Sequence, residues 1–189
     1  MYFAHDTELA LITATALVNT DVDGVDRLTD AAGLDAFLLT HPFTGIREHT
    51  VRELEAVRDL RPRLLRIWEA PDERTAVDIV NGLFREARAL PQIATHDDLG
   101  WHLHLTEPQA PLAQRIGAES AMGFADLIRS GHLDRLRRCA AEDCEAVLID
   151  LSRNRSRRYC DVGNCGNRAN VAAYRARRAD PGQRRDPAS

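Results

Sequence analysis

Apolar residues recur at three- and four-residue intervals through most of the first 130 positions, the spacing that turns one side of a helix towards a core. Residues 8–19 form a short, largely apolar segment. Leu34, Phe37 and Leu38 predict a brief second helix ending at the turn His41-Pro42. From 46 to 69 the helical stripe is Val51, Leu54, Val57, Leu60, Leu64, Ile67 and Trp68, with Pro62 inside it. A proline there lacks the N–H for the ladder, so the pattern predicts a kink or a restart. The cleanest stripe covers 73–89, through Ala76, Ile79, Val80, Leu83, Phe84 and Ala87, with Asp72 as N-cap and Pro91 blocking continuation. A further helix over about 109–130 carries Leu112, Ile116, Phe124, Leu127 and Ile128, with Gly131 as its C-cap.

Between 92 and 105 the period drops to two, and QIATH and WHLHLT flank DDLG. This predicts a β-hairpin with Trp101, Leu103 and Leu105 on one face. His96, His102 and His104 then share the other face, where three imidazoles could bind a metal. The alternation favours a solvated face instead. Beyond 131 the helical pattern lapses. Ala146, Leu148 and Leu151 alternate with Val147 and Ile149 as in a short strand, and a helix is predicted from about Val162 to Arg178 with Asp161 as N-cap. Residues 180–189, DPGQRRDPAS, read as a frayed tail. The organisation expected is a helical domain over 1–134, a small module over 135–180 and a flexible tail over 181–189.

An apolar fraction of 44% in 189 residues supports a core of ordinary size. All 25 basic residues are arginine, so every cation is a planar, permanently charged guanidinium. The formal charge of −4 hides an asymmetry: residues 135–189 carry 13 Arg against 7 acids, and residues 1–134 carry 12 Arg against 22 acids. A basic module on an acidic body points to an anionic partner, or to two parts that attract each other. The N-terminal stretch has no basic region before its apolar run, and that run is too short to span a bilayer. A cytoplasmic protein without membrane contact is expected, in which thiols stay reduced. No nucleophile with a positioned base, Gly-rich phosphate loop or adjacent carboxylate pair points to catalysis, so the expectation is that the chain is not an enzyme.

The four cysteines read Cys139-AAED-Cys144, fifteen intervening residues, then Cys160-DVGN-Cys165. Two close pairs joined by such a loop are the plan of a four-cysteine zinc site, each pair supplying two thiolates to a tetrahedral Zn2+. The inner spacing of four is longer than the usual two, and redox-active dithiols are the alternative. With Asp161 as cap, Cys160 falls just before a helix and Cys165 in its first turns, where the dipole and free N–H groups favour thiolates. The geometry is that of a treble-clef or zinc-ribbon-like module. Gly163 and Gly166 each weaken such a helix by about 1 kcal/mol, well within what a structural zinc contributes, about 10–16 kcal/mol in finger peptides.

Arginines crowd around this site. Ser152-Arg153-Asn154-Arg155-Ser156-Arg157-Arg158 leads into Cys160, and Arg168, Arg175, Arg177 and Arg178 follow on the helix. Serine and asparagine interleaved with arginine suit phosphate and sugar contacts. Arg155, Arg157, Arg158, Arg168 and Arg175 are therefore the candidate nucleic-acid contacts. Few aromatics lie nearby, Tyr159 and Tyr174, which favours DNA over base-stacked RNA. RNA binding by the same surface stays open, as does a zinc-stapled interaction module whose arginines dock on the acidic body.

The Cys-x4-Cys pairs, the loop SRNRSRRYC and the run CGNR continuing to AYRARR together resemble the CGNR zinc-finger proteins over about 137–178. Leu17-Val18-Asn19-Thr20, then Asp26–Leu28 and Leu34-Asp35-Ala36-Phe37-Leu38, resemble the ABATE domain that precedes this finger, described as a stress-induced transcription regulator. The resemblance implies a mainly α-helical N-terminal domain, a zinc-bound C-terminal module, and DNA-binding regulation or, in some descriptions, RNA binding. The helical domain would sense a signal, contact a partner or pair two copies in a homodimer. Two positions depart from the family pattern. Tyr159 stands where tryptophan is common, and Asn170 where lysine often follows, which removes one candidate phosphate contact.

Overall fold

Three helices begin where the sequence supplies a capping oxygen. Asp30 accepts from the Gly33 amide at 2.8 Å, Thr50 from Glu53 at 3.1 Å and Asp72 from Thr75 at 2.7 Å. The computed structural model describes residues 3–95 and 100–179. Among them are six α-helices: α1 (His5–Val18), α2 (Ala31–Thr40), α3 (Val51–Trp68), α4 (Glu73–Ala87), α5 (Leu112–Arg129) and α6 (Cys165–Ala179). Three two-stranded antiparallel ladders complete the fold: β1 (Asp21–Val22) with β2 (Val25–Asp26), β3 (Gln92–Thr95) with β4 (Trp101–His104), and β5 (Leu136–Arg138) with β6 (Val147–Ile149). The fold is mainly α with a small hairpin and a C-terminal four-cysteine module, as the sequence pattern predicts. None of the helices is long and apolar enough to cross a membrane.

The apolar stripes of α1, α3, α4 and α5 meet in one core built on Leu11, Leu17, Val57, Leu64, Val80, Ile116 and Phe124, with the Trp68 and Phe124 rings edge to face at 5.2 Å. The proline-containing stripe is a single helix. No restart occurs at Pro62: the carbonyl it leaves without an amide partner, that of Arg58, accepts the Arg61 Nε–H at 3.3 Å, and the proline itself faces solvent. At the end of α5, Gly131 takes a φ of +69° and the amides of Gly131 and His132 return to Ile128 and Leu127, so the predicted C-cap forms.

Hairpin β3–β4 differs from expectation in its facing. Trp101 is 76% exposed near the tip, whereas Leu105 is buried. His102 and His104 are not a solvated face: both are half-buried against α1 and α5. The reason is the packing direction. The hairpin lies on the helices through β4, so the alternation separates tip from base as much as it separates the two faces. His96, the third histidine of that set, lies outside the described residues, as does the tail 181–189.

The C-terminal module is seated in the same core as the helices. Val147 and Ile149 of β6 belong to it, and Trp68 donates its indole N–H to the Leu148 carbonyl at 3.1 Å. The decisive contact is Asn19, just past α1 and 7% exposed. Its Nδ2 donates to the Val147 carbonyl at 2.8 Å, and its Oδ1 accepts the Val147 amide at 2.9 Å. The side-chain amide thereby acts as a one-residue strand on the free edge of β6. Next to it, Thr20 accepts from Arg61, whose guanidinium meets Asp26 in two bonds of 2.7 and 3.2 Å. Arg61 first, then the Leu28 amide and Arg58, hold the Asp26 carboxyl well below the usual carboxylate range. Asn19→Leu leaves both Val147 backbone groups buried and unpaired, so we expect a loss of about 2–4 kcal/mol in denaturant unfolding with an unchanged m value.

Candidate metal centre and nucleic-acid interface

Hairpin β5–β6 sets Leu136 against Ile149 and Arg138 against Val147, and the pairing continues one step to Cys139, whose amide donates to Ala146 at 2.8 Å. Cys139 and Cys144 therefore flank the hairpin connection. The second pair sits at the entry to α6, with Cys165 as its first residue. This helix begins three residues later than the sequence pattern predicts, and Asp161 does not cap it: Asp161 pairs with Arg157. Residues 161–164 are instead a turn around Cys160. The amides of Val162 and Gly163 point at the Cys160 sulfur, and Asn164 adopts a left-handed φ of +52° before the helix starts.

The four sulfurs converge within 4.8 Å of one another, and each cysteine is at least nine-tenths buried. Cys144 Sγ lies 3.6 Å from Cys160 Sγ, and Cys160 Sγ lies 3.8 Å from Cys165 Sγ. A tetrahedral ion with metal–sulfur bonds of about 2.3 Å requires sulfur–sulfur edges of about 3.8 Å. The donor set fits. The 3.6 Å contact joins sulfurs from different sequence pairs, so the arrangement is one tetrahedron rather than two separate dithiols. Burial opposes ionisation at Cys139, Cys144 and Cys160. At Cys139 the amides of Cys160 and Ala141 outweigh it and hold the thiol below its usual range. Burial pushes Cys144 and Cys160 up. Four thiolates at this separation require a cation to coexist, which is what a bound metal ion supplies.

The arginine loop is shaped by a residue that the sequence reading passes over. Asp150 is fully buried, and its carboxylate accepts the Ser152 amide (3.0 Å) and hydroxyl (2.5 Å) and the Arg157 amide (3.0 Å). Burial works against its charge, but these bonds and Arg137 keep the carboxyl below its usual range. Arg137 also donates to the carbonyls of Arg155 and Arg157, and buried Arg135 to those of Asp150 and Ser152. The signal available in the sequence is the Asp-x-Ser turn at 150–152.

The five candidate contacts divide into two groups. Arg155 pairs with Asp134, Arg157 with Asp161, and Arg168 with Asp143. Arg168 also donates to the Cys165 sulfur at 3.2 Å, which places it in the shell around the metal ligands. Arg158 and Arg175 are exposed and have no carboxylate partner among the described residues. Arg158 lies 5.9 Å over the Tyr159 ring. Arg153, Arg177 and Arg178 share that exposure and likewise lack a carboxylate partner among the described residues. Arg178 lies over Tyr174. Every residue of α6 from Asn170 to Arg178 faces solvent.

Chelation should remove the ion together with helical signal equivalent to α6, leaving the body helices folded, as read by far-ultraviolet circular dichroism with metal analysis. Arg168→Ala should weaken metal affinity by about tenfold in a chelator competition. Asp150→Ala should cost about 2–4 kcal/mol in denaturant unfolding. Because folding depresses the Asp150 pKa, its contribution is complete above about pH 4 and fades as pH falls through the lower folded value. The alanine variant should therefore show a flatter acid limb.

Two family models cover the parts just described. Residues 13–131 match ABATE, described as "Putative stress-induced transcription regulator", and residues 135–178 match the CGNR zinc finger. No curated protein matches the chain. The ABATE match takes in more than half of the sequence, including Asn19, Thr20 and Asp26, and the finger match takes in all four cysteines with the loop that Asp150 organises. The chain thus belongs to the ABATE family, with a CGNR zinc finger as its C-terminal module.

Proposed function

We propose that the chain is a non-catalytic, cytoplasmic transcription regulator that holds zinc on Cys139, Cys144, Cys160 and Cys165 and binds DNA through the arginines of loop 152–158 and α6. The observation that carries this reading is the exposed set Arg153, Arg158, Arg175 and Arg177, none with a carboxylate partner among the described residues. Guanidiniums left unpaired beside paired ones in one small module are available to phosphates. The family description supports a regulatory role in stress, and the reducing interior supports zinc over disulfides. Arg158 and Arg175 act as phosphate or base contacts. Arg155, Arg157 and Arg168 reach DNA only by exchanging their carboxylates for phosphates.

The purified protein should contain one zinc per chain by elemental analysis. Its affinity for duplex DNA should fall steeply with salt, since each neutralised phosphate contributes a slope of about −0.9 in log K against log salt. Arg158→Ala with Arg175→Ala should reduce that slope by about 2 while metal content stays unchanged. Retained affinity with the same slope refutes the assignment of these residues. Structured RNA that displaces duplex DNA at equal concentration moves the reading to RNA, for which exposed Tyr174 under Arg178 is the available stacking surface.

A further inference from the structure

A cavity of about 190 Å3 lies between α1, hairpin β3–β4 and α5, on the body rather than on the metal module. Its lining joins apolar side chains, among them Leu9, Phe43 and Met122, to the three carboxylates Asp6, Glu119 and Asp126 and to the imidazoles of His102 and His104, and no guanidinium lines it. Two of the acids are engaged: Asp126 accepts the Thr7 hydroxyl at 2.7 Å and pairs with Arg129 at 3.4 Å, and Asp6 accepts the amides of Thr7 at 2.9 Å and Leu103 at 3.4 Å. Glu119 is half-buried and has no hydrogen-bond or ion-pair partner among the described residues. Arg115, one turn earlier on α5, stands where it could neutralise Glu119. Its guanidinium instead donates to the carbonyls of Thr44, Ile46 and Ala110, pinning the loop that forms one wall of the cavity. Burial pushes the Glu119 carboxyl up to about 7; Arg115 opposes the shift and Asp6 adds to it.

A half-buried carboxylate without a donor is costly, and the cost is relieved by a ligand that brings donors and positive charge. A shared metal ion is disfavoured. Among the described residues, the four cysteines are the set of ligating groups drawn close enough to hold one, and the cavity's acids and histidines form no such set. The apolar walls call for hydrocarbon as well as charge. The volume is of the order that accommodates a benzene-sized molecule. We propose that this cavity binds a small organic cation, a primary amine on a short aliphatic or single-ring body, with its ammonium on Glu119 in the field of Asp6 and Asp126 and its hydrocarbon against Leu9, Phe43 and Met122. An ammonium offers three donors, enough for Glu119 and one neighbour.

The test uses the full zinc-loaded chain at pH 8, where Glu119 is ionised, with n-butylamine and benzylamine set against n-butanol and benzyl alcohol. Calorimetric titration and thermal unfolding should show saturable binding and a raised Tm with the amines and not with the alcohols. Glu119→Gln removes an unpartnered charge and should fold at least as well, while amine affinity falls by at least about thirtyfold. Met122→Phe fills the cavity and should abolish binding with the carboxylates intact. Equal binding of alcohol and amine overturns the cationic class. Amine affinity unchanged in Glu119→Gln overturns the site, and no saturable amine binding to the wild-type chain overturns the proposal as a whole.

Discussion

The paired hydrogen bonds between the Asn19 side chain and the Val147 backbone determine where everything C-terminal to residue 135 sits. A two-stranded hairpin is marginal by itself in water, and β6 has an edge that β5 does not cover. Asn19 closes that edge at one residue, and the strand's apolar side chains then enter the helical core. Asparagine is suited to this because one planar amide presents a donor and an acceptor in the sense that a backbone residue needs. Its own position is fixed in turn by the turn that follows α1, where Thr20 and Asp26 are held by Arg61 from α3. The metal module is thereby docked on the helical body and shares its core.

That seating alters the meaning of the charge asymmetry. A body of net negative charge and a basic module could have closed on each other through ion pairs, and among the described residues they do so at two places, Arg138 with Glu69 and Arg155 with Asp134. The other carboxylates that meet the module's arginines belong to the module itself: Asp143, Asp150 and Asp161. These pairs shape the loop and the metal surroundings. The docking of module on body is carried by apolar burial and by Asn19, which leaves Arg153, Arg158, Arg175, Arg177 and Arg178 facing water. Exposed pairs such as Arg157–Asp161 contribute little to stability, so a phosphate can displace the carboxylate at small cost.

The helical body was legible because its buried stripes are long and its caps are spelled out, as at Asp72 with Thr75. What was not legible depended on partners distant in sequence. At Pro62 an arginine bends back to the carbonyl left without an amide, a contact that no periodicity registers. Strand β5 is three residues of Leu and Arg, and it is a strand because β6 lies beside it. The turn at Asp23-Gly24, with both residues at positive φ between Val22 and Val25, did carry a local signal, a hairpin dipeptide between two valines. The cysteines were legible as a site from spacing alone. The start of α6 was not, because Asn164 takes a left-handed φ that no helix begun at Val162 could continue through, in a turn whose amides point at the Cys160 sulfur.

The projecting part of α6 raises the question of why it is a helix at all. From Asn170 to Arg178 every residue is exposed, and tertiary packing is the usual source of helical stability. Two features replace it. The composition is rich in the best helix formers, with Ala169, Ala172, Ala173 and Ala176 alternating with Arg168, Arg175, Arg177 and Arg178. The costly step, fixing the first turn, is carried out by the metal centre, since Cys165 is both a candidate ligand and the first helical residue, and Arg168 ties the next turn to that same sulfur. Propagation from a fixed nucleus needs only propensity. The consequence is functional: the helix presents Arg175, Arg177 and Arg178 in a set geometry without a hydrophobic face to hold it. An array fixed in this way would lose little freedom on meeting the polyanion proposed above.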